Sequence, residues 1–150
     1  MRATLSGMHS PSAPVRSSQS GPHPGLARVV VRHLARPWQQ PLHAHSQSMF
    51  ARLCAELAGG TGPLLLDSGC GNGESTRLLA ARFPGHRVIG VDRSALRLRR
   101  LAPEGFAVHG NAILLRAELG SFWRLFASAG LCAERHWLLY PNPWPRPEHL

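Results

Sequence analysis

The stretch LLLDSGCGNGES, residues 64–75, changes character at Asp67. Its leucines suit a short strand covered on both faces, and Asp67 ends the apolar run. Behind the aspartate, Gly69, Gly71 and Gly73 alternate with Cys70 and Asn72, a composition that allows positive φ and a close approach of backbone to a ligand. The residues that follow, ESTRLLAARF, read as a helix stopped by Pro84 and Gly85. The dinucleotide frame G-x-G-x-x-G would need glycine at 74 or 76, where Glu74 and Thr76 stand, and the G-K-[ST] phosphate loop is absent. Both common phosphate cradles are therefore excluded for this turn.

Working outward, the same plan repeats. RVIGVD predicts a second strand ending at Asp92, SALRLRRL a helix, AILLRAE a third strand ending at Glu118, GSFWRLFASA a helix and HWLLY a fourth strand. Strands alternating with helices predict an α/β fold built on a parallel, Rossmann-like sheet with right-handed crossovers. Upstream, Ser46–Ala58 carries Met49, Phe50, Leu53 and Leu57 at helical spacing and runs into Gly59 and Gly60, a strong stop. Before it, GLARVVVRHLAR sets Leu26, Val29, Val30 and Leu34 on one side, with Arg28, Arg32 and Arg36 four apart as a basic ridge, and Pro37 closes the helix. Residues 1–24 are crowded with Ser, Pro, Gly and His and cannot offset the entropy of ordering, so they read as a disordered extension. The domain plan is thus 1–24 extension, 25–60 basic helices and 61–150 ligand-binding half.

A chain of 150 residues with 43% hydrophobic content is long enough for one real core. Its formal charge of +9 is carried by Arg alone, and residues 1–55 hold six Arg before the first acid, Glu56. Clustered Arg suits a polyanion such as RNA, and an Arg-rich proteome would give the same excess, so charge leaves both open. Cys54, Cys70 and Cys132 are too widely spaced for a CxxC pair or a disulfide framework, which points to a reducing, cytoplasmic compartment. His43 and His45 lack a second ligand pair at metal spacing, so no metal site is expected. No apolar run is long enough to span a membrane.

In such sheets the ligand lies beyond the carboxyl ends of the strands, where Asp67, the glycines, Asp92 and Glu118 fall. The segment Asp67–Gly73 reads D-x-G-x-G-x-G and resembles the motif of class I S-adenosylmethionine-dependent methyltransferases. The resemblance implies S-adenosylmethionine as cofactor, accepted by Gly69, Gly71 and Gly73, with Asp67 favouring its ammonium and sulfonium charges. Asp92, 19 residues beyond Gly73, would accept the ribose hydroxyls, and Glu118 would lie beside the adenine.

The string LLYPNPWPRPEHL, with Pro141, Asn142, Pro143, Trp144, Pro145 and Arg146, resembles the PDPWP-type motif of the tRNA (guanine-N7)-methyltransferase family. Asn142 stands where Asp is more usual. The likeness covers about residues 18–150 and implies tRNA as substrate, with Asn142 orienting the base, Trp144 stacking on it, and Arg28, Arg32, Arg36 and Arg146 contacting phosphates. Two alternatives stay open: methyl transfer to a small molecule or protein, because the glycine motif is silent on the acceptor, and a non-catalytic remnant. The family fold has seven strands, of which about four are read before Leu150. The fourth would then form an exposed apolar edge, so the 150-residue chain is expected to be weakly stable and poorly active.

Overall fold

The computed structural model describes residues 21–36 and 39–139. They fall in two compact units, one holding residues 21–36 and the other 39–139. In the first unit, helix α1 (Leu26–Leu34) has no buried residue, and Leu26, Val30, Val31 and Leu34 are exposed. It is shorter than its amphipathic pattern suggests. Arg28 and Arg32 lie on the helix, but Arg36 lies beyond it, because the last turn closes with Ala35 N–H donating to Val31 O. Pro37, residues 1–20 of the anticipated extension and Tyr140 lie outside the described residues.

In the second unit, α2 (Ala44–Ala58) leads to β1 (Leu64–Ser68), α3 (Glu74–Arg82), β2 (Arg87–Asp92) and the short α4 (Ala95–Leu98). Then come β3 (Phe106–His109), β4 (Ala112–Arg116), α5 (Leu119–Ser128) and β5 (Ala133–Trp137). The strands form one sheet in the order β3-β4-β2-β1-β5, and β1, β2, β4 and β5 are mutually parallel. After β1 the chain builds outward to β2 and β4, then crosses back to place β5 on β1's other side. The carboxyl end of β1 is therefore the topological switch point of a Rossmann-like sheet.

Alternation decides the two faces. Leu66, Ile89, Val91, Ile113 and Leu115 pack against Met49, Phe50 and Leu53 of α2 and Phe122 and Phe126 of α5. Their neighbours Leu65, Val88 and Leu114 point to the other face, against Ala80 of α3 and Leu98 of α4. Phe122 is fully buried, with Phe50 edge-on at 5.9 Å and Phe126 at 5.6 Å. Burying a side chain of that size contributes about 2–3 kcal/mol. At the far end of α2, the Arg87 guanidinium donates to the carbonyls of Glu56 and Leu57 and pairs with Glu56 Oε1 at 2.9 Å, closing the helix where its carbonyls lack partners.

The structure corrects the sequence reading in four places. A fifth strand, β3, pairs antiparallel with β4 through the two-residue turn Gly110–Asn111, where Gly110 has φ 62°. Gly-Asn between two short strands is a hairpin signal, and Asn111 Nδ2 locks it by donating to the carbonyls of Ala80, Phe83 and His86. The last strand is Ala133–Trp137 rather than HWLLY, because its polar residues are tolerated at the edge of the described sheet. Helix α4 has only four residues; beyond it Leu101 and Ala102 N–H both turn back to Leu98 O ahead of Pro103. Finally, the third parallel strand stops at Arg116, so Glu118 does not close it.

Candidate functional site

The loop between β1 and α3 is held open by its glycines. Gly69, Gly71 and Gly73 have φ of 76°, 60° and 85°, the left-handed region that side chains with a Cβ enter at a cost. Gly73 needs its hydrogen for a second reason: a Cβ there would come 2.9 Å from Leu114 Cδ1 and 3.2 Å from Leu101 Cδ1. At Gly71 the same test meets nothing within 4 Å, so that edge of the loop faces open space.

The loop is tied to the end of β2. Gly69 and Cys70 N–H both donate to Val91 O, at 2.8 and 3.1 Å, and Gly71 N–H donates to Asp92 Oδ2 at 3.0 Å. The other oxygen of Asp92 accepts from Ser94 N–H at 2.7 Å, and the carboxylate is nearly buried. Asp67 is wholly buried: its Oδ2 accepts from Ser75 Oγ and Thr76 Oγ1, both at 2.7 Å, while its Oδ1 has no partner. Asp67 thus grips the first turn of α3 from beneath the glycine loop. Burial, and then the negative Asp67 beside it, push the Cys70 thiol up to about 12, so the loop cysteine stays protonated.

Glu118 is the N-cap of α5, accepting from Gly120 N–H at 2.8 Å and Ser121 N–H at 2.7 Å. Burial works to raise its pKa, but the hydrogen bonds from Ser121 and Gly120 outweigh it and hold the carboxyl below its usual range. Beside it opens a cleft of about 470 Å³, lined among others by His43, His45, Arg93, Arg116 and Glu118. Arg116 Nε–H donates to His45 Nε2 at 2.9 Å. Desolvation, then the Arg116 charge, lower the His45 pKa and favour the neutral, accepting imidazole.

Asp67, Gly69, Gly71, Gly73 and Asp92 therefore meet at one end of the sheet, with Glu118 at the start of α5 on the same side. Arg28, Arg32 and Arg36 belong to the other unit, and Asn142, Trp144 and Arg146 lie outside the described residues. Residues that the sequence reading passed over also shape the site. Ser75 and Thr76 hold Asp67, and Gly90 on β2 leaves the room that Thr76 occupies. Two hydroxyl residues opening the helix after a buried acid were the available signal. Ser68, also fully buried, joins three elements: Trp123 Nε1–H of α5 donates to its Oγ at 3.0 Å, and His136 Nε2 of β5 lies 2.8 Å away. Among the described residues no group of three His, Cys, Asp or Glu is placed to hold a metal, and no helix is long and apolar enough to cross a membrane.

No family model matches the chain. It is 35% identical over 89 residues to a tRNA (guanine-N(7)-)-methyltransferase of Mycobacterium avium, covering 58% of this chain and 34% of the relative. A protein of the same name from Porphyromonas gingivalis is 37% identical over 82 residues, covering 54% of this chain and 33% of the relative. Among solved structures, the antibiotic-resistance methyltransferase Kmr is 29% identical with a TM-score of 0.37, over 47% of this chain and 37% of that one. The chain thus spans about a third of the length of these two curated relatives. With a Rossmann-like sheet and a glycine loop at its switch point, this is a chain that resembles the tRNA (guanine-N7)-methyltransferase family of S-adenosylmethionine-dependent methyltransferases.

Proposed function

We propose that the chain binds S-adenosylmethionine at the carboxyl end of its sheet and directs methyl transfer to N7 of guanine in tRNA. The observation that carries the first half is the loop of three left-handed glycines tied to Asp92 and facing open space at Gly71. Such a loop accepts a ligand without a phosphate by close backbone approach. The residues fit this cofactor: each Asp92 oxygen already holds one amide and keeps a lone pair for a ribose hydroxyl, and each Glu118 oxygen likewise holds one amide and would keep a lone pair for the adenine. Asp67 acts from behind the loop, where its buried charge favours a cationic ligand and its grip on Ser75 and Thr76 keeps the glycines in place.

When bound, S-adenosylmethionine supplies an electrophilic methyl group on a sulfonium. Guanine N7 presents an in-plane lone pair and has no proton to lose, so the chain needs no strong general base and its task is orientation. Asn142 and Trp144 take the role of aligning and stacking the base, and Arg146 that of a further substrate contact. Arg28, Arg32 and Arg36 hold tRNA phosphates, which positions the substrate without reading its sequence. The names of the relatives and the PNPWP string support this acceptor.

The test is transfer of labelled methyl from S-adenosylmethionine to tRNA, with calorimetric binding of S-adenosylhomocysteine measured in parallel. Label on guanine N7, and a tenfold or greater loss of S-adenosylhomocysteine affinity in Asp92→Ala, are expected. Binding of S-adenosylhomocysteine with unlabelled tRNA would defeat the acceptor assignment, and absence of binding would defeat both halves.

A further inference from the structure

The carboxyl end of β2 gathers more positive charge than the glycine loop uses. Asp92 and Arg116 are register partners on β2 and β4, so Arg93 and Arg116 emerge from neighbouring strand ends, about 4.8 Å apart in the sheet direction. Arg97 comes to the same place, with its Nη1 4.0 Å from Asp92 Oδ2. Arg93 and Arg116 line one cleft, and Arg97 stands by the nearly buried carboxylate of Asp92, which already accepts from Gly71 and Ser94. Arg99 and Arg100 follow in sequence and are exposed.

The other charged group of the adjoining cleft, Glu118, holds the first amides of α5. Among the described residues, Arg93 and Arg116 form no ion pair. Neutral His45 takes the Nε–H of Arg116 and leaves its two terminal nitrogens as donors. A cationic rim of this kind favours an anionic group.

We propose that Arg93 and Arg116, with Arg97 beside them, form a phosphate-binding rim that takes the backbone of the RNA substrate next to the cofactor loop. This rests on the tRNA reading above and adds to it a second anchor, on the sheet unit itself. Arg forks match phosphate oxygens in pairs, and two phosphates fixed at the rim would hold a nearby base over the switch point.

The experiment is tRNA binding by the chain in saturating S-adenosylhomocysteine, followed by fluorescence anisotropy between 50 and 200 mM KCl. The proteins compared are the wild type, the double variant R93Q/R116Q, and R82Q, whose exposed Arg closes α3. Each phosphate left without its guanidinium removes about 0.7–0.9 from the slope of log affinity against log salt. The double variant should therefore lose about 1.5 of that slope, with S-adenosylhomocysteine affinity without RNA within twofold of wild type, and R82Q should keep the slope. An unchanged slope in R93Q/R116Q would overturn the rim while leaving the tRNA reading standing. So would a fall in S-adenosylhomocysteine affinity without a change in slope, which would assign both arginines to the cofactor. A wild-type chain that does not bind tRNA would overturn both.

Discussion

Replacing Gly90 by alanine should damage the site from a strand that touches no ligand. An added Cβ would run into Thr76 Oγ1 and lie 2.9 Å from Thr76 Cγ2 and 2.7 Å from Leu114 Cδ2. Leu114 can rotate away, but Thr76 is fully buried and its hydroxyl holds Asp67 at 2.7 Å. Overpacking of this kind costs about 1–3 kcal/mol. Displacing the hydroxyl from a charged, buried acceptor adds roughly 1.5–3 kcal/mol, so G90A should destabilise the chain by about 3–5 kcal/mol. T76A alone removes the same hydrogen bond and should cost about 1.5–3 kcal/mol. Because the methyl group introduced at position 90 then occupies the space Thr76 vacates, G90A/T76A should cost about 2–4 kcal/mol rather than the sum of the single losses. Urea unfolding followed by circular dichroism gives all three values. Additivity within about 0.5 kcal/mol, the behaviour of independent sites, would refute the claim that Gly90 exists to make room for the Thr76–Asp67 bond.

Glu118→Gln should lower stability at neutral pH and flatten its fall in acid. A carboxyl held below its usual range contributes stability above its unfolded pKa and loses it as pH falls through the folded value, so the wild-type advantage in urea midpoint should be full at pH 7 and vanish in acid. A thiol pushed up to about 12 and buried should resist a thiol reagent at pH 8, so Cys70 should label only on unfolding while exposed Cys132 labels at once; mass spectrometry of the labelled peptides decides this. Ser68→Ala leaves the indole N–H of Trp123 without its acceptor and should cost about 1–3 kcal/mol, read as a lower melting temperature, with no loss telling against a structural role for that hydroxyl.

Much of the architecture was legible because parallel strands covered on both faces must be continuous apolar runs. Leu64–Leu66, Val88–Val91 and Ile113–Leu115 are such runs, and glycine, proline and acidic residues punctuate them. The edges were less legible. β5 carries Glu134, Arg135 and His136, which no alternation rule marks as a strand; its pairing with β1 alone makes it one. β3 is four residues long and depends on the Gly110–Asn111 turn and on the three carbonyls that Asn111 binds from another part of the chain.

The sequence by itself determined the alternating plan, the place of the glycine loop and the acids Asp67 and Asp92 at strand ends, because local composition and period encode these. Tertiary structure alone decided what each polar group does. Asp67 proved to be sealed beneath its loop by Ser75 and Thr76, and Glu118 to cap α5. Arg93 and Arg116, 23 residues apart in the chain, came together as the lining of one cleft. Those outcomes depend on which strands become neighbours and in what register, and hydrogen bonds and charges between residues distant in sequence exist only after the sheet has formed.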